Sequence, residues 1–366
     1  MKKLMMAMVG LAALGLAGCT GDSHSLTMAV GTYTDNGSEG IYTFSFDTVT
    51  GQVQGLDTLQ IANPSYVNFN ERGTRLYAVS ENNEASDSVS AIEIDAKSGK
   101  MKWLGALPTR GAASCYVEAC GQVLLTANYN GGTMSVFQLS PEGNLERMVG
   151  QMKGTTGGPD TARQKIPHVH TARVTPDRRY VLATDFAADR LLRMAFDGMS
   201  VNLNSMAVFH LSRDYGPRHI EFSPDGQAVY VIGELSGTVT VFNYNGGALQ
   251  RVQEVKSDTV GARGSADIHI TPDGRFLYTS NRLKADGLRI FKVDQKSHQL
   301  TSVGYQPTGL HPRNFAITPD GKWLLCACRD SNEIQIFKID PATGALKQVG
   351  KPIALPHPVC IKFAPK

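Results

Sequence analysis

The sequence predicts an all-β fold, a seven-bladed β-propeller with four antiparallel strands per blade. Three observations predict it. A turn recurs about every 48 residues, each interval holds four short strand-like runs, and each end of the chain carries part of a blade.

The repeat is clearest in the second half. Residues 219–226 (HIEFSPDG), 267–274 (DIHITPDG) and 314–321 (NFAITPDG) are one segment written three times. Each is followed by an apolar run (228–234, 276–281, 323–328) and then by a β-branched and aromatic run (238–244, 288–293, 333–339). Runs of this length and composition, bounded by turn residues, read as strands. In Pro-Asp-Gly, proline presets φ, the aspartate caps the turn and glycine accepts positive φ. Residues 247–253 supply a fourth strand and 344–349 echo it.

Gly73, Gly121, Arg178, Gly226, Gly274 and Gly321 are the equivalent turn positions, spaced 48, 57, 48, 48 and 47 residues apart. Six turns still make seven blades. Residues 358–365 resemble an innermost strand after which the chain stops, while 26–33 and 40–46 resemble second and third strands that lack a first. The C-terminus is expected to complete the blade begun by the N-terminus, which ties the ring shut and removes its free edges.

Ahead of the propeller, residues 1–18 read as a signal peptide. Lys2 and Lys3 form the positive start, and 4–16 is an apolar run too short to span a bilayer as a mature helix. It ends in Leu16-Ala17-Gly18-Cys19, the pattern of a bacterial lipoprotein box, so cleavage before Cys19 and lipidation of its thiol are expected. Residues 19–25 then form a lipidated tether and 26–366 the propeller domain. The expected place is the bacterial cell envelope, as a periplasmic or outer-membrane lipoprotein attached through the lipid on Cys19.

Without the leader 348 of the 366 residues remain, and the loss of Lys2 and Lys3 lowers the formal charge from +3 to +1. A near-neutral chain with no basic run argues against a nucleic-acid partner. Cys115, Cys120, Cys326, Cys328 and Cys360 lack metal-finger spacing and read as small buried hydrophobes. A closed propeller needs no partner for stability, so a monomer or weak oligomer is expected.

In an up-and-down blade, the start of the first strand and the end of the second lie on one face near the axis. Polar residues gather there. Pro167-His168-Val169-His170, Gly216-Pro217-Arg218-His219 and His311-Pro312-Arg313-Asn314 precede or open first strands. Glu81, Asn128, Asp185, Glu234, Asn281, Arg282 and Arg329 close second strands. The long interval adds nine residues, holds 157–164 (GGPDTARQ) and leads into His168 and His170, so it reads as a loop that builds a site. Arg218 and Arg313 could instead pair with Glu81 or Glu234 merely to lock neighbouring blades. No metal or cofactor is expected, because His168 and His170 would point to opposite faces of a strand.

These residues resemble the seven-bladed propeller lactonase family, which includes a bacterial class of 6-phosphogluconolactonase and the fungal carboxymuconate-lactonizing cyclase. The resemblance covers residues 26–366. It is most specific at Arg163-Gln164-x-x-Pro167-His168-x-His170, Gly216-Pro217-Arg218-His219, Glu234-Leu235 and Ser280-Asn281-Arg282. Ala266-Asp267 departs mildly from the family, where the acidic residue is often Glu. The resemblance implies that His170, Arg218, Glu234 and Arg282 are catalytic. Arg163, Gln164, His168, His219, Asn281 and Arg313 are then the expected substrate contacts.

Opening a lactone requires water attack on a carbonyl, a base for its proton and positive charge at the developing oxyanion. His170 is the candidate base, with Glu234 orienting or replacing it, while Arg218 and Arg282 bind an anionic group or the oxyanion. The resemblance thus implies a 6-phosphogluconolactonase-like hydrolase acting on a small sugar lactone. Two alternatives stand beside it: a non-catalytic envelope propeller that binds a ligand or protein, and a muconate-type lactonizing cyclase. Phosphorylated sugar lactones are cytoplasmic, so an exported chain also raises an unphosphorylated substrate.

Overall fold

The computed structural model describes residues 24–365. The expected signal peptide and Cys19 lie outside them. Seven sheets surround one axis. Blade 1 pairs Pro358–Phe363, as its innermost strand, with Ser25–Thr32, Gly40–Asp47 and Val53–Gln60. Blades 2 to 6 each run consecutively from inside to outside, starting at Val67–Phe69, Ser114–Cys120, Val169–Val174, Pro217–Phe222 and Ser265–Ile270. Blade 7 starts at Pro312–Ile317. Its outer strand is split into Leu346–Gln348 and Ile353–Ala354, both paired with Glu333–Ile339. Pro352 lies in the gap and has no N–H for the ladder.

The turns are built as their sequence requires. Thr175, Ser223, Thr271 and Thr318 each donate a side-chain hydroxyl across 2.6 Å to the aspartate two residues on. Gly73, Gly121, Gly226, Gly274 and Gly321 have φ of 58–73°, and Arg178 holds the same left-handed conformation at 54°. That shared backbone makes Arg178 the true equivalent of the glycines, at a steric cost only glycine avoids.

Second strands such as Tyr180–Asp185 and Ala228–Gly233 are almost wholly buried, whereas the outer strand Val201–His210 alternates partly buried and exposed positions along its length. Blade 1 closes the ring by pairing Met28 with Phe363 and Val30 with Ile361. Trp323 of blade 7 fastens the seam, its indole N–H donating to Thr48 O at 2.8 Å and its ring meeting Phe46 edge-on at 5.8 Å. The fold begins slightly earlier than the sequence suggests. Ser25 already pairs with Asp47, and His24 O accepts the Thr48 N–H, so the end of the expected tether belongs to blade 1. Among the described residues no helix is long and apolar enough to cross a membrane.

Candidate active site

Each blade makes the same backbone bond at one mouth of the channel. Tyr33, Glu81, Tyr129, Phe186, Glu234, Arg282 and Arg329 donate their N–H to the carbonyls of His357, Asn63, Ala113, His168, Gly216, Gly264 and His311 respectively. Seven equivalent positions just past the second strands therefore ring the mouth. At six of the blades the ladder slips where the first strand begins, as between Ser114 and Tyr116 or Val169 and Ala172. Such bulges re-aim side chains. Here they set Cys115, His170, Arg218 and Arg313 at matching places on their strands. Gly216 turns the chain into Arg218 at φ 56°, where a Cβ would come within 2.7 Å of Leu235.

Glu234 is the hub. Its Oε2 accepts Arg218 Nε at 2.9 Å and faces Arg282 Nη2 at 3.3 Å, while Oε1 accepts Arg163 Nη2 at 2.7 Å. Burial would raise the carboxyl, but the Arg282, Arg218 and Arg163 charges outweigh it and hold it at about 2. Arg218 also donates Nη1 to Ala266 O at 2.7 Å, and Arg282 donates Nε to Gly264 O at 2.8 Å. Burial lowers Arg282 to about 9 despite Glu234, which leaves it charged at neutral pH.

His170 is buried, with its ring 5.1 Å from His219 and 5.6 Å from Tyr129, and Cys115 Sγ lies 3.8 Å from its Nδ1. Burial first, then Arg218, His219 and Arg313, keep it neutral well below its ordinary value. Glu234 makes no bond to His170. It gathers the arginines instead of orienting the histidine.

The other expected contacts divide. Arg163 reaches in from the long loop and also meets Tyr129 Oη at 3.0 Å. His168 stacks on Tyr129 at 4.1 Å, with Nδ1 on Tyr129 O at 2.9 Å. His168 and His170 thus flank one tyrosine, because the bulge breaks the strand alternation that would have parted them. Arg313 sits 3.7 Å from Glu81 and over the Tyr33 ring, and Tyr33 donates to Glu81 at 2.8 Å.

Three expected substrate contacts are turned to the protein. Gln164 donates to Asp189 at 2.6 Å and Phe186 O at 3.1 Å and accepts from Asp160 N, so it anchors the loop. Asn281 accepts from Ser265 and Ser257 and ties strands together, as Asn128 does in blade 3 and Asp185, through Arg190 and Thr155, in blade 4. His219 has both ring nitrogens engaged, Nδ1 with Asp267 at 2.7 Å and Nε2 with Arg218 at 3.2 Å. The residues that sequence reasoning passed over are Tyr33, Cys115, Tyr129 and Phe186 at the mouth, with Asp267 behind it. Their common signal is position, one place past a second strand or at a first-strand bulge.

At the other end, Tyr66, Glu118, Arg173, Glu221, His269 and Lys362 line a polar cavity of about 210 Å³. Arg173 bridges Glu118 and Glu221, and His269 bridges Glu221 and Asp267. Among the described residues no group of three or more His, Cys, Asp or Glu side chains is arranged to hold a metal ion.

The model of the family described as "Lactonase, 7-bladed beta-propeller" matches residues 27–363. The chain belongs to that lactonase family. It is 36% identical to a 6-phosphogluconolactonase of Bacillus subtilis, over 91% of this chain and 97% of that one. A crystal structure of a candidate 6-phosphogluconolactonase from Bacteroides uniformis superposes with a TM-score of 0.90 at 47% identity, covering 93% of this chain and 99% of the other. The periplasmic gluconolactonase of Pseudomonas aeruginosa gives 0.86 at 29% identity, covering 93% and 99%. Within this lactonase, the four residues carried over from the family, His170, Arg218, Glu234 and Arg282, lie together at one mouth of the propeller and are all buried.

Proposed function

We propose that this lactonase hydrolyses six-membered sugar lactones of the aldonolactone type at the mouth ringed by Glu234 and Arg282. The observation that carries the reading is a buried neutral histidine beside buried guanidiniums that keep N–H groups unengaged by protein. His170 takes the proton from water as the water oxygen bonds to the lactone carbonyl carbon. Arg218 and Arg282 stabilise the oxyanion that forms. Collapse breaks the ring C–O bond, and the leaving oxygen takes the proton back from His170. Glu234 balances the guanidiniums and fixes their directions. With its oxygens held by three arginines and its carboxyl at about 2, it is a poor base.

Arg163, Arg218, Arg282 and Arg313 face only Glu81 and Glu234 within the cluster. Two positive charges in surplus suit an anionic substrate, and Arg313 is the candidate partner for a phosphate on the exocyclic carbon. The envelope reading favours an unphosphorylated lactone, in line with the periplasmic Pseudomonas relative. The strand Ser25–Thr32 runs toward the mouth at Tyr33, so the chain enters on the opposite face. A lipid on Cys19 would then hold the mouth away from the bilayer. Assaying gluconolactone and its 6-phosphate side by side decides between the substrates, and loss of neither above the spontaneous rate would refute the reading.

A further inference from the structure

We propose that His219 and His311 are positioning residues, each accepting from one guanidinium of the active site and setting it from behind, with His219 the middle member of a full Arg–His–Asp relay. The first relay runs from Arg218 Nη1 to His219 Nε2 at 3.2 Å and from His219 Nδ1 to Asp267 Oδ1 at 2.7 Å. In the second, Arg282 Nη1 meets His311 Nε2 at 3.2 Å, while Asp330 Oδ2 lies 3.3 Å from His311 Nδ1 as an ion-pair neighbour without hydrogen-bond geometry.

The chemistry fixes the protons. A guanidinium can only donate, so each Nε2 must present its lone pair and each Nδ1 then carries the hydrogen, which Asp267 accepts from His219. Both histidines are neutral, held at about 3 by burial first and by the adjoining Arg218 or Arg282 second. A protonated ring would turn an N–H toward an N–H and lose the bond. Asp267 is itself held by Asn314 Nδ2 at 2.5 Å, Phe315 N at 3.2 Å and His269 Nε2 at 3.1 Å.

The propeller repeat does not explain the pair. His219 stands on the first strand of blade 5 beside Arg218, whereas His311 precedes the first strand of blade 7, in the left-handed conformation at φ 58°. Two inequivalent positions each deliver a histidine acceptor to one of two guanidiniums that share Glu234.

The count of donors shows what the two histidines do. Arg218 places Nε on Glu234 and both Nη1 hydrogens on Ala266 O and His219, which leaves the Nη2 hydrogens for substrate. Arg282 is fixed by Gly264 O, His311 and Glu234, which leaves one hydrogen on each terminal nitrogen. Donors aimed before the charge develops are what oxyanion stabilisation requires.

The kinetic side of this inference rests on the proposed lactonase activity, so the test has two arms. In the purified full chain, His219→Leu and His311→Leu, corrected for folded fraction, should each lower kcat on the order of tenfold with KM little changed. The corresponding Gln variants, whose amide oxygen can accept from the arginine, should recover most of that loss. Equal losses in Leu and Gln variants would overturn the relay. The second arm needs no activity and no variant. Nitrogen-15 spectra of the wild-type histidines at neutral pH should show protonated Nδ1 and bare Nε2 at both residues, and a protonated Nε2 at either contradicts the proposal. A wild type that opens no lactone refutes the proposed function, while the spectra still judge the relay.

Discussion

Arg218 and Glu234 lie sixteen residues apart on one blade and meet Nε to Oε2 at 2.9 Å, with both side chains buried. The pair is the centre of a cluster in which one carboxylate serves three guanidiniums. Removing its charge leaves buried cations without a partner. Glu234→Gln is therefore expected to cost about 3 kcal/mol or more of folding stability and to lower kcat/KM on the order of 100-fold through misdirected arginines. Denaturant midpoints and lactone assays on the same preparation check both. A variant with intact stability and activity would remove Glu234 from the account.

Acid should loosen this fold earlier than its carboxylates alone would. His170, His219 and His311 are held below their ordinary value by burial first and by neighbouring arginines second. Their folded values lie below 6.5, so in the unfolded chain they bind protons that the folded chain refuses. Stability is full above about pH 6.5 and falls as pH drops below it, each histidine contributing up to about 1.4 kcal/mol per pH unit. His269 runs the other way. Burial disfavours its charge, yet Asp267 and Glu221 hold it protonated up to about 9, so its contribution is present at low pH and lost as pH rises through 9. Unfolding midpoints across pH 4.5–10 should therefore show a maximum near pH 6.5, with a steep fall on the acid side and a shallower one on the alkaline side that ends near pH 9.

Ring closure depends on one short strand. Pro358–Phe363 carries the buried Val359, Cys360 and Ile361 and pairs with Ser25–Thr32. Ending the chain at Leu355 would expose a strand edge and lose apolar burial of about 5 kcal/mol from those side chains alone. The truncated chain should lose its cooperative thermal transition and become trypsin-sensitive. An unchanged transition would mean that the seam is not needed.

Arg313 discriminates between substrates on the charge argument. Its guanidinium pairs only loosely with Glu81, at 3.7 Å, and is free to add a second anion. Arg313→Ala should raise KM for 6-phosphogluconolactone about tenfold or more and leave gluconolactone within about threefold. Equal effects on both would place Arg313 in general structure.

Much of the fold was legible because three blades write their turn as Pro-Asp-Gly and the others keep its spacing. Even Arg178, which is not glycine, was found by spacing and shares the glycines' backbone angle. The closing strand was legible because 358–365 has the pattern of an inner strand, the one that 26–33 and 40–46 lack, and it pairs with Ser25–Thr32. The site was legible as a set of residues but not as a set of roles. The bulges that open six of the first strands are not written in residue type. On the second strands, Asn128, Asp185 and Asn281 tie strands together, and the next residues, Tyr129, Phe186 and Arg282, take the ring position at the mouth. Tyr33 and Tyr129 look in sequence like ordinary strand aromatics. Gln164 looked like a substrate contact because its partner Asp189 lies 25 residues away, beyond any local pattern.

The central claim is that His170 and the paired arginines open a lactone. The direct measurement is the rate of loss of gluconolactone and of 6-phosphogluconolactone over the spontaneous rate. It compares protein lacking residues 1–18 with its His170→Ala/Arg282→Ala double variant. Wild type should accelerate at least one of the two, and the double variant should fall on the order of 1000-fold or to the background. Wild type and double variant that cannot be told apart would contradict the account.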